Sequence, residues 1–383
     1  PFEDKVGLFT REINHASECI LKGETESNYI NHADTQSNML WLEKWRQQLD
    51  IVCPLSEFKG SPLPDSKFYS IQRPKLQSTS LNGVEKLGSR LALGCDNQTS
   101  SLHAFTMFDH FYGSGGRIFD TAYIYNNGKG DKYLGDWINS RNVEDEIIVL
   151  GKGAHTPDCE PKFIRPQIEE SLSRLNINKI DIFCLHRDNP EIPVAEFMDA
   201  LNEAKDDGLI GNIGASNWEM DRFAEARDYA LKNNMEPFTV LSNNFSLAEM
   251  VDPVWPGCVG VNNSYLEYLM DNKIMLFPWS SQARGFFIEK KEITSNEHFS
   301  NPSLEEERRV WHSEKNLQRR KVCFAIATQR GVQPIQVALA YVIQKSSLIF
   351  PLVGPRTIIE AESSIAATQL NLTEEEMSSL AID

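Results

Sequence analysis

The chain has 383 residues, 41% hydrophobic and 24% charged, an ordinary globular composition with room for one large domain and an addition. Its 38 basic and 54 acidic residues leave a net charge of −16, which argues against nucleic acid or an anionic membrane as partner, although a local basic pocket for a small phosphate stays possible. Seven scattered cysteines, without a C-x-x-C pair, favour free thiols in a reducing, cytoplasmic setting over a disulfide framework or zinc site.

No apolar run approaches the roughly 18 residues of a membrane span, and no signal peptide is visible. The first residue is Pro1 rather than Met, as expected of a processed or truncated product. Residues 1–55 read as a polar helical extension, in which Met39, Leu40, Leu42, Trp45 and Leu49 fall at helical spacing. One reading is a surface helix packing on the main body. The other comes from the run Phe9 to Pro54, with HASECILKGETES and a closing WRQQLDIVCP. That run resembles the C-terminal tail of glucose–fructose oxidoreductase/inositol dehydrogenase-type proteins. The resemblance implies a remnant whose dinucleotide-binding domain once preceded Pro1. The chain holds no G-x-G-x-x-G, so no Rossmann-type site is expected.

Residues 56–84 place Pro62, Pro64 and Pro74 among polar residues with no sustained period, and read as an irregular linker. From there to residue 383 the texture alternates. Strands are predicted near 90–94, 117–120, 147–151, 180–186, 210–215, 239–243, 273–278 and 348–353. Amphipathic helices lie between them, the clearest carrying Ile164, Ile168, Leu172 and Leu175. Eight strands alternating with helices predict a (β/α)8 TIM barrel with an N-terminal helical extension, an open doubly wound sheet being the rival. Two long connections, 252–265 and 285–303, read as lids or surface excursions.

In a barrel the active site is built at the C-terminal strand ends. Here those ends carry Asp120, Lys152, His186, Ser216-Asn217, Ser242-Asn243, Trp279 and Gly354-Pro355-Arg356-Thr357, with Tyr125 five residues past Asp120. A phenol with an ordinary pKa of about 10 is a poor acid at neutral pH. A neighbouring lysine held charged by Asp120 is expected to lower it, letting Tyr125 protonate a carbonyl oxygen as hydride reaches the carbon. His186 would orient the same oxygen. No metal is required, and the spacing lacks the short ligand repeats of a zinc site. Taken singly, each residue has a plainer role: Asp120 a strand-end cap, Tyr125 a packed loop aromatic, Lys152 a solvated turn residue, His186 a core histidine. Together they would require four coincidences at one barrel face.

The motifs FDTAYIY (119–125), VLGKG (149–153), SLSRLNINKIDIFCLH (171–186), ALNEAKDDGLIGNIGASNW (200–218), PWSSQARGFF (278–287), GVQPIQVALAYVI (331–343) and PLVGPRT (351–357) together resemble the aldo-keto reductase family across residues 88–383. The resemblance implies Asp120, Tyr125, Lys152 and His186 as the catalytic tetrad. It also implies NADP(H) bound across the barrel mouth. Ser216 and Asn217 would hold the nicotinamide carboxamide, and Trp279 would stack on the ring where the family usually has Tyr. Ser280, Gln282, Ala283 and Gly285 would follow the pyrophosphate. Arg356 in the Gly354-containing loop would meet the 2′-phosphate, with a surface turn arginine as its plainer alternative. Three positions depart from the family: Ser242 replaces a Gln, Glu360 and Ser364 alter the adenine clamp and leave NAD possible, and the long extension has no counterpart. The expected function is NADP(H)-dependent reduction of an aldehyde or ketone, or oxidation of an alcohol or sugar, with a small-molecule carbonyl or sugar as partner. The alternatives are a cofactor-sensing regulatory or interaction module, and a barrel enzyme of other chemistry such as a lyase. Oligomeric state is not legible.

Overall fold

The computed structural model describes residues 10–23, 31–48, 75–288 and 304–382. They fall into two compact units, residues 1–72 and 73–383. The first holds helices α1 (Thr10–Leu21) and α2 (His32–Gln48). Asn31 caps α2: its side-chain oxygen accepts from the Asp34 amide at 2.9 Å, while Asp34 accepts from the Asn31 amide at 3.2 Å, so two orphan donors of the first turn are satisfied reciprocally. The apolar residues that suggested a packing face, Met39, Leu40, Leu42 and Trp45, are exposed along α2, as is Trp41; Leu49 lies outside the described residues.

The second unit opens with a hairpin, β1 (Ser78–Leu81) and β2 (Val84–Ser89), antiparallel and joined at Asn82-Gly83. This corrects the expected linker, whose last residues form β1 and its turn; residues 56–74 are outside the described set. Asn-Gly between two short strands is a strong hairpin signal, because the turn needs left-handed backbone, and Gly83 sits at φ +73°. Eight parallel strands follow: β3 (Ala92–Gly94), β4 (Ile118–Asp120), β5 (Ile148–Gly153), β6 (Ile180–Leu185), β7 (Ile210–Ala215), β8 (Val240–Leu241), β9 (Met275–Leu276) and β10 (Leu352–Val353). Their order is β10-β3-β4-β5-β6-β7-β8-β9. The ring closes where Leu276 pairs with Ile349, with the Phe350 amide donating to the Leu276 carbonyl at 2.8 Å. The chain is thus a (β/α)8 barrel, and the predicted strands all lie within it.

Helices α3 (Ser101–Gly113), α4 (Lys129–Arg141), α5 (Ile164–Leu175), α6 (Val194–Asp206), α7 (Met220–Lys232), α8 (Asn263–Asp271), α9 (Leu304–Trp311), α10 (Glu314–Arg330), α11 (Pro334–Gln344), α12 (Ile358–Ala367) and α13 (Glu374–Leu380) follow in chain order. Two apolar clusters result. The outer one, between strands and helices, includes Phe119, Val149, Phe183, Leu185, Ile213, Leu241 and Val353, with Phe119 stacked near Trp137 at 5.0 Å. The inner one fills the barrel: Ala92, Ile118, Ile148, Leu150, Ile182, Cys184, Val240, Met275, Phe277 and Leu352, with Leu81 from the hairpin. Asn212 donates to the Asn82 carbonyl at 2.7 Å and Lys86 pairs with Asp181 at the start of β6, so the hairpin plugs the N-terminal end. The open mouth is therefore at the other end.

The six cysteines among the described residues, Cys19, Cys95, Cys159, Cys184, Cys258 and Cys323, are free and buried; Cys53 lies outside them. Among the described residues no helix is long and apolar enough to cross a membrane.

Candidate active site at the barrel mouth

Successive strand residues face opposite sides, so the inner cluster predicts which strand-end residues enter the lumen. Ile118 is inside and Phe119 outside, so Asp120 returns inside. Leu150 sends Lys152 inward, and Cys184 does the same for His186. Val240 places Ser242 inside, Phe277 places Trp279, and Leu352 places Gly354. One period-2 rule thus gathers residues spread over more than 230 positions of sequence.

Three of the four residues picked as catalytic are deeply buried, and all four meet. The Lys152 ammonium donates to Asp120, with both side chains 3% exposed or less, and its Nζ lies 3.4 Å from the Tyr125 hydroxyl. The Tyr125 ring stands edge-on to His186 at 5.7 Å. The loop carrying Tyr125 is pinned at both ends. The Thr121 and Tyr123 amides donate to the Leu150 and Lys152 carbonyls at 2.8 Å, which prolongs the β4–β5 pairing past Asp120. Asp131, fully buried in α4, accepts from Thr121 at 2.6 Å and Ser171 at 2.8 Å. Asn126 and Asn127 take the left-handed turn at φ 51° and 55°, a conformation that asparagine tolerates better than most residues.

Electrostatics corrects one expectation. Tyr125 is not tuned down: burial, then the carboxylates of Asp120 and Asp96, push its pKa well above the ordinary value. The ammonium of Lys152 is engaged by Asp120, so the phenol keeps its proton and is a donor rather than a standing phenolate. Asp120 is raised to about 6 by burial, against the pull of Lys152. Burial, followed by Lys152, His155 and Arg187, holds His186 well below the ordinary imidazole value. His186 is therefore neutral, and its buried Nδ1 has no hydrogen-bond partner among the described residues. A neutral imidazole, a protonated phenol and an ammonium around one opening can orient and protonate a carbonyl oxygen.

The residues picked for a cofactor line the same rim with differing freedom. Ser216 donates to the Ser242 carbonyl at 2.5 Å. Asn217, left-handed at φ 61°, donates to the His186 carbonyl at 3.3 Å and to Ser216 Oγ at 3.0 Å. Ser242 is fully buried and its hydroxyl donates to the Phe277 carbonyl at 2.8 Å, so its side chain ties neighbouring strands rather than facing the opening. Trp279 is half-buried, tilted against Trp255 at 6.2 Å, and its buried Nε1 has no hydrogen-bond partner among the described residues. The turn after it puts Ser280, Ala283, Arg284 and Gly285 at positive φ, with Gln282 between them and Ala283 fully buried. At Gly354 a Cβ would stand 2.5 Å from Asn97 Nδ2 and displace the bond that this amide donates to the Gly354 carbonyl at 2.8 Å. Glu360 accepts from the Arg356 amide at 2.7 Å, and its own amide donates to the hydroxyl of Thr357, which caps α12. Arg356 lines a polar cleft with Asp96, Asn97, His103, Asn126 and Lys129.

Three further residues stand at the mouth without having been picked. His155 packs its ring 4.9 Å from His186, Arg187 follows His186 directly, and Asn243 accepts from the Asn217 amide at 2.5 Å. Their signal in the sequence was position: each lies within three residues of a strand end already marked as polar.

The parallel barrel thus gathers a carboxylate, an ammonium, a phenol and an imidazole at its C-terminal mouth, groups able to work on a carbonyl or alcohol. The aldo/keto reductase family model matches residues 85–382, and the chain belongs to that family. Norsolorinic acid reductase B of Aspergillus parasiticus is 27% identical over 290 residues, covering 72% of this chain and 73% of that protein. An aryl-alcohol dehydrogenase of Pestalotiopsis microspora is 25% identical, covering 72% and 70%. A probable aryl-alcohol dehydrogenase of Saccharomyces cerevisiae is 23% identical, covering 72% and 85%. Among solved structures, a thermostable aldo-keto reductase in complex with the inhibitor epalrestat shares the fold at a TM-score of 0.61 and 21% identity, over 79% of this chain and 98% of that one.

Proposed function

We propose that the protein reduces an aromatic aldehyde or ketone with NADPH, or oxidises the matching alcohol, using Tyr125 as proton donor. The observation that carries this is the buried cluster in which Lys152 touches both Asp120 and the Tyr125 hydroxyl. A nicotinamide cofactor supplies the hydride. Trp279 offers it a flat face, as the resemblance implies, and Arg356 with Lys129 gives the polar cleft a cationic lining suited to a phosphate. Ser216 and Asn217 would meet the carboxamide, with Ser242 and Asn243 backing them from the neighbouring strand end. The turn from Ser280 through Gln282 and Ala283 to Gly285 would follow the pyrophosphate, and Gly354 and Glu360 would shape the Arg356 loop.

In the reaction the neutral His186 hydrogen-bonds the carbonyl oxygen and fixes its direction. Tyr125 passes its proton to that oxygen as the carbon becomes tetrahedral, and the alcohol leaves with one added hydride and one added proton. The phenolate left behind is then stabilised by Lys152, which Asp120 holds in place. The tuning thus acts after proton transfer, on the phenolate, rather than on the resting phenol.

An aromatic substrate is favoured over a sugar by the indoles of Trp255 and Trp279 and by the names of the relatives. NADPH is favoured over NADH by Arg356, and the buried free thiols accord with a reducing, cytoplasmic setting. The likeness of Phe9 to Pro54 to an oxidoreductase tail stands as a proposal about ancestry. A cofactor-sensing module is the second reading, supported by the exposed apolar residues of α2. Tyr125→Phe separates the two. The expected result is turnover reduced by roughly 10²–10⁴-fold with NADPH fluorescence quenching retained; undiminished turnover removes Tyr125 from the mechanism. Tight NADPH binding with negligible turnover of a broad carbonyl panel by the unaltered chain would establish the sensor.

A further inference from the structure

Arg187 is the residue at the mouth that the reaction above leaves without a task. It follows His186 where β6 leaves the barrel, and it is 8% exposed. A guanidinium has five donor hydrogens in a rigid fork. Here one nitrogen reaches the His186 carbonyl at 3.4 Å and another the Cys258 sulfur at 3.6 Å, both long and weak. No carboxylate among the described residues pairs with it. The adjacent acid, Asp188, is held by Arg222 through contacts of 2.9 and 3.0 Å. A buried cation left without an anion is costly, and such groups mark functional sites.

The backbone of Arg187 is clamped from two sides. Its carbonyl accepts from Cys159 Sγ at 3.2 Å and from Trp218 Nε1 at 3.3 Å. The protein thus fixes the point from which the side chain starts, while the guanidinium's own contacts leave most of its donors to a ligand. Its charge reaches the chemistry: it opposes the rise of the Tyr125 pKa and adds, after burial, to the lowering of those of His155 and His186. The Cys258 turn that it touches continues from Trp255, whose indole packs on Trp279. The guanidinium thus bridges the strand end of His186, whose ring packs against Tyr125 and His155, and the turn that leads from Trp255 to Cys258.

We propose that Arg187 is a substrate-binding residue that anchors a carboxylate carried by an aromatic carbonyl substrate, because its buried guanidinium, with no ion pair among the described residues, lies between the carbonyl of His186 at the end of β6 and the Cys258 turn. The inference rests on the reading of the Tyr125 cluster given above. The favoured substrates are aromatic oxo-acids, and the net acidity of the chain does not oppose them, since charges beyond about 8–10 Å are screened at ordinary ionic strength while Arg187 acts at contact.

The test uses the full chain with NADPH and the three isomers of carboxybenzaldehyde, each beside its methyl ester. In the unaltered protein at least one acid should exceed its ester in kcat/KM by about 10- to 100-fold, the value of a charge-assisted hydrogen-bonded pair. Arg187→Gln should collapse that acid-to-ester ratio towards one, mainly through KM, and Arg187→Lys should restore part of it. A structural role would depress acid and ester alike and leave the ratio standing, which overturns the proposal. So does an unaltered protein that treats acids and esters equally. If no carbonyl compound is turned over, the reading of the Tyr125 cluster fails separately; calorimetric binding of the carboxybenzaldehydes then decides for Arg187, with equal affinity in the unaltered protein and Arg187→Gln counting against it.

Discussion

Replacing Lys152 by methionine should destabilise the protein by an amount that grows with pH. The reasoning starts from Asp120, whose side chain is 3% exposed and whose carboxyl titrates at about 6 rather than the ordinary 3.8 because burial outweighs the help from Lys152. The sign follows from linkage. A carboxyl raised on folding adds stability that is fully present below 3.8 and lost as pH rises through 6. In Lys152→Met the ammonium is gone and the folded pKa rises further, so the carboxylate stays protonated through neutral pH. The variant forgoes the ionisation that the unaltered protein still gains above pH 6. Beyond the lost packing, the gap between the two should be near zero at pH 5.5 and widen above pH 6 by about 1.4 kcal/mol per pH unit, so that the gap at pH 8 is roughly twice that at pH 7. Urea unfolding at those three pH values, with Asp120→Asn/Lys152→Met as a control that carries no carboxyl, measures the gap. A gap independent of pH would refute the claim that Lys152 keeps a buried carboxylate ionised.

The activity of the unaltered protein should fall as pH drops through about 6, where Asp120 protonates, while circular dichroism stays unchanged, because this group favours the fold at low pH. Loss of fold in step with activity would assign the limb elsewhere. Arg356→Ala should weaken NADPH by about tenfold or more and NADH far less, read by fluorescence titration of both nucleotides; equal losses would exclude a 2′-phosphate contact. Phe119→Ala removes an aromatic packed against Phe108, Phe111 and Trp137 on the outer face beside Asp120, and should cost about 3–5 kcal/mol by chemical denaturation. A cost under about 1 kcal/mol would mean the outer cluster does not hold β4 in register.

Much of the fold and the site was legible in the sequence for one physical reason. A buried parallel strand is a short apolar run, and the residue that ends it is polar only if the mouth requires it, so Asp120, Lys152 and His186 stand out against Ile118-Phe119, Ile148-Val149-Leu150 and Ile182-Phe183-Cys184-Leu185. Period-2 alternation then sends all three to the lumen, and counting residues suffices to see it. The hairpin was missed and read as linker, although Asn82-Gly83 is a turn signal, because its flanks are too polar to read as strands: Leu81 enters the inner cluster and Val84 packs against it. What sequence alone left undecided depends on distances across the barrel. Whether the phenol is lowered by an ammonium or raised by burial and two carboxylates turns on which partner lies nearer, and Lys152 is taken by Asp120. Ser242 has the right strand-end position yet gives its hydroxyl to the Phe277 carbonyl on the next strand. Arg187 looks in sequence like any arginine beside an acid, and only the folded chain gives Asp188 to Arg222 and leaves the guanidinium at the mouth. Local pattern determines which way a side chain points, because that depends on its own strand; tertiary structure decides charge state and pairing, because those depend on neighbours that the sequence places tens of residues away.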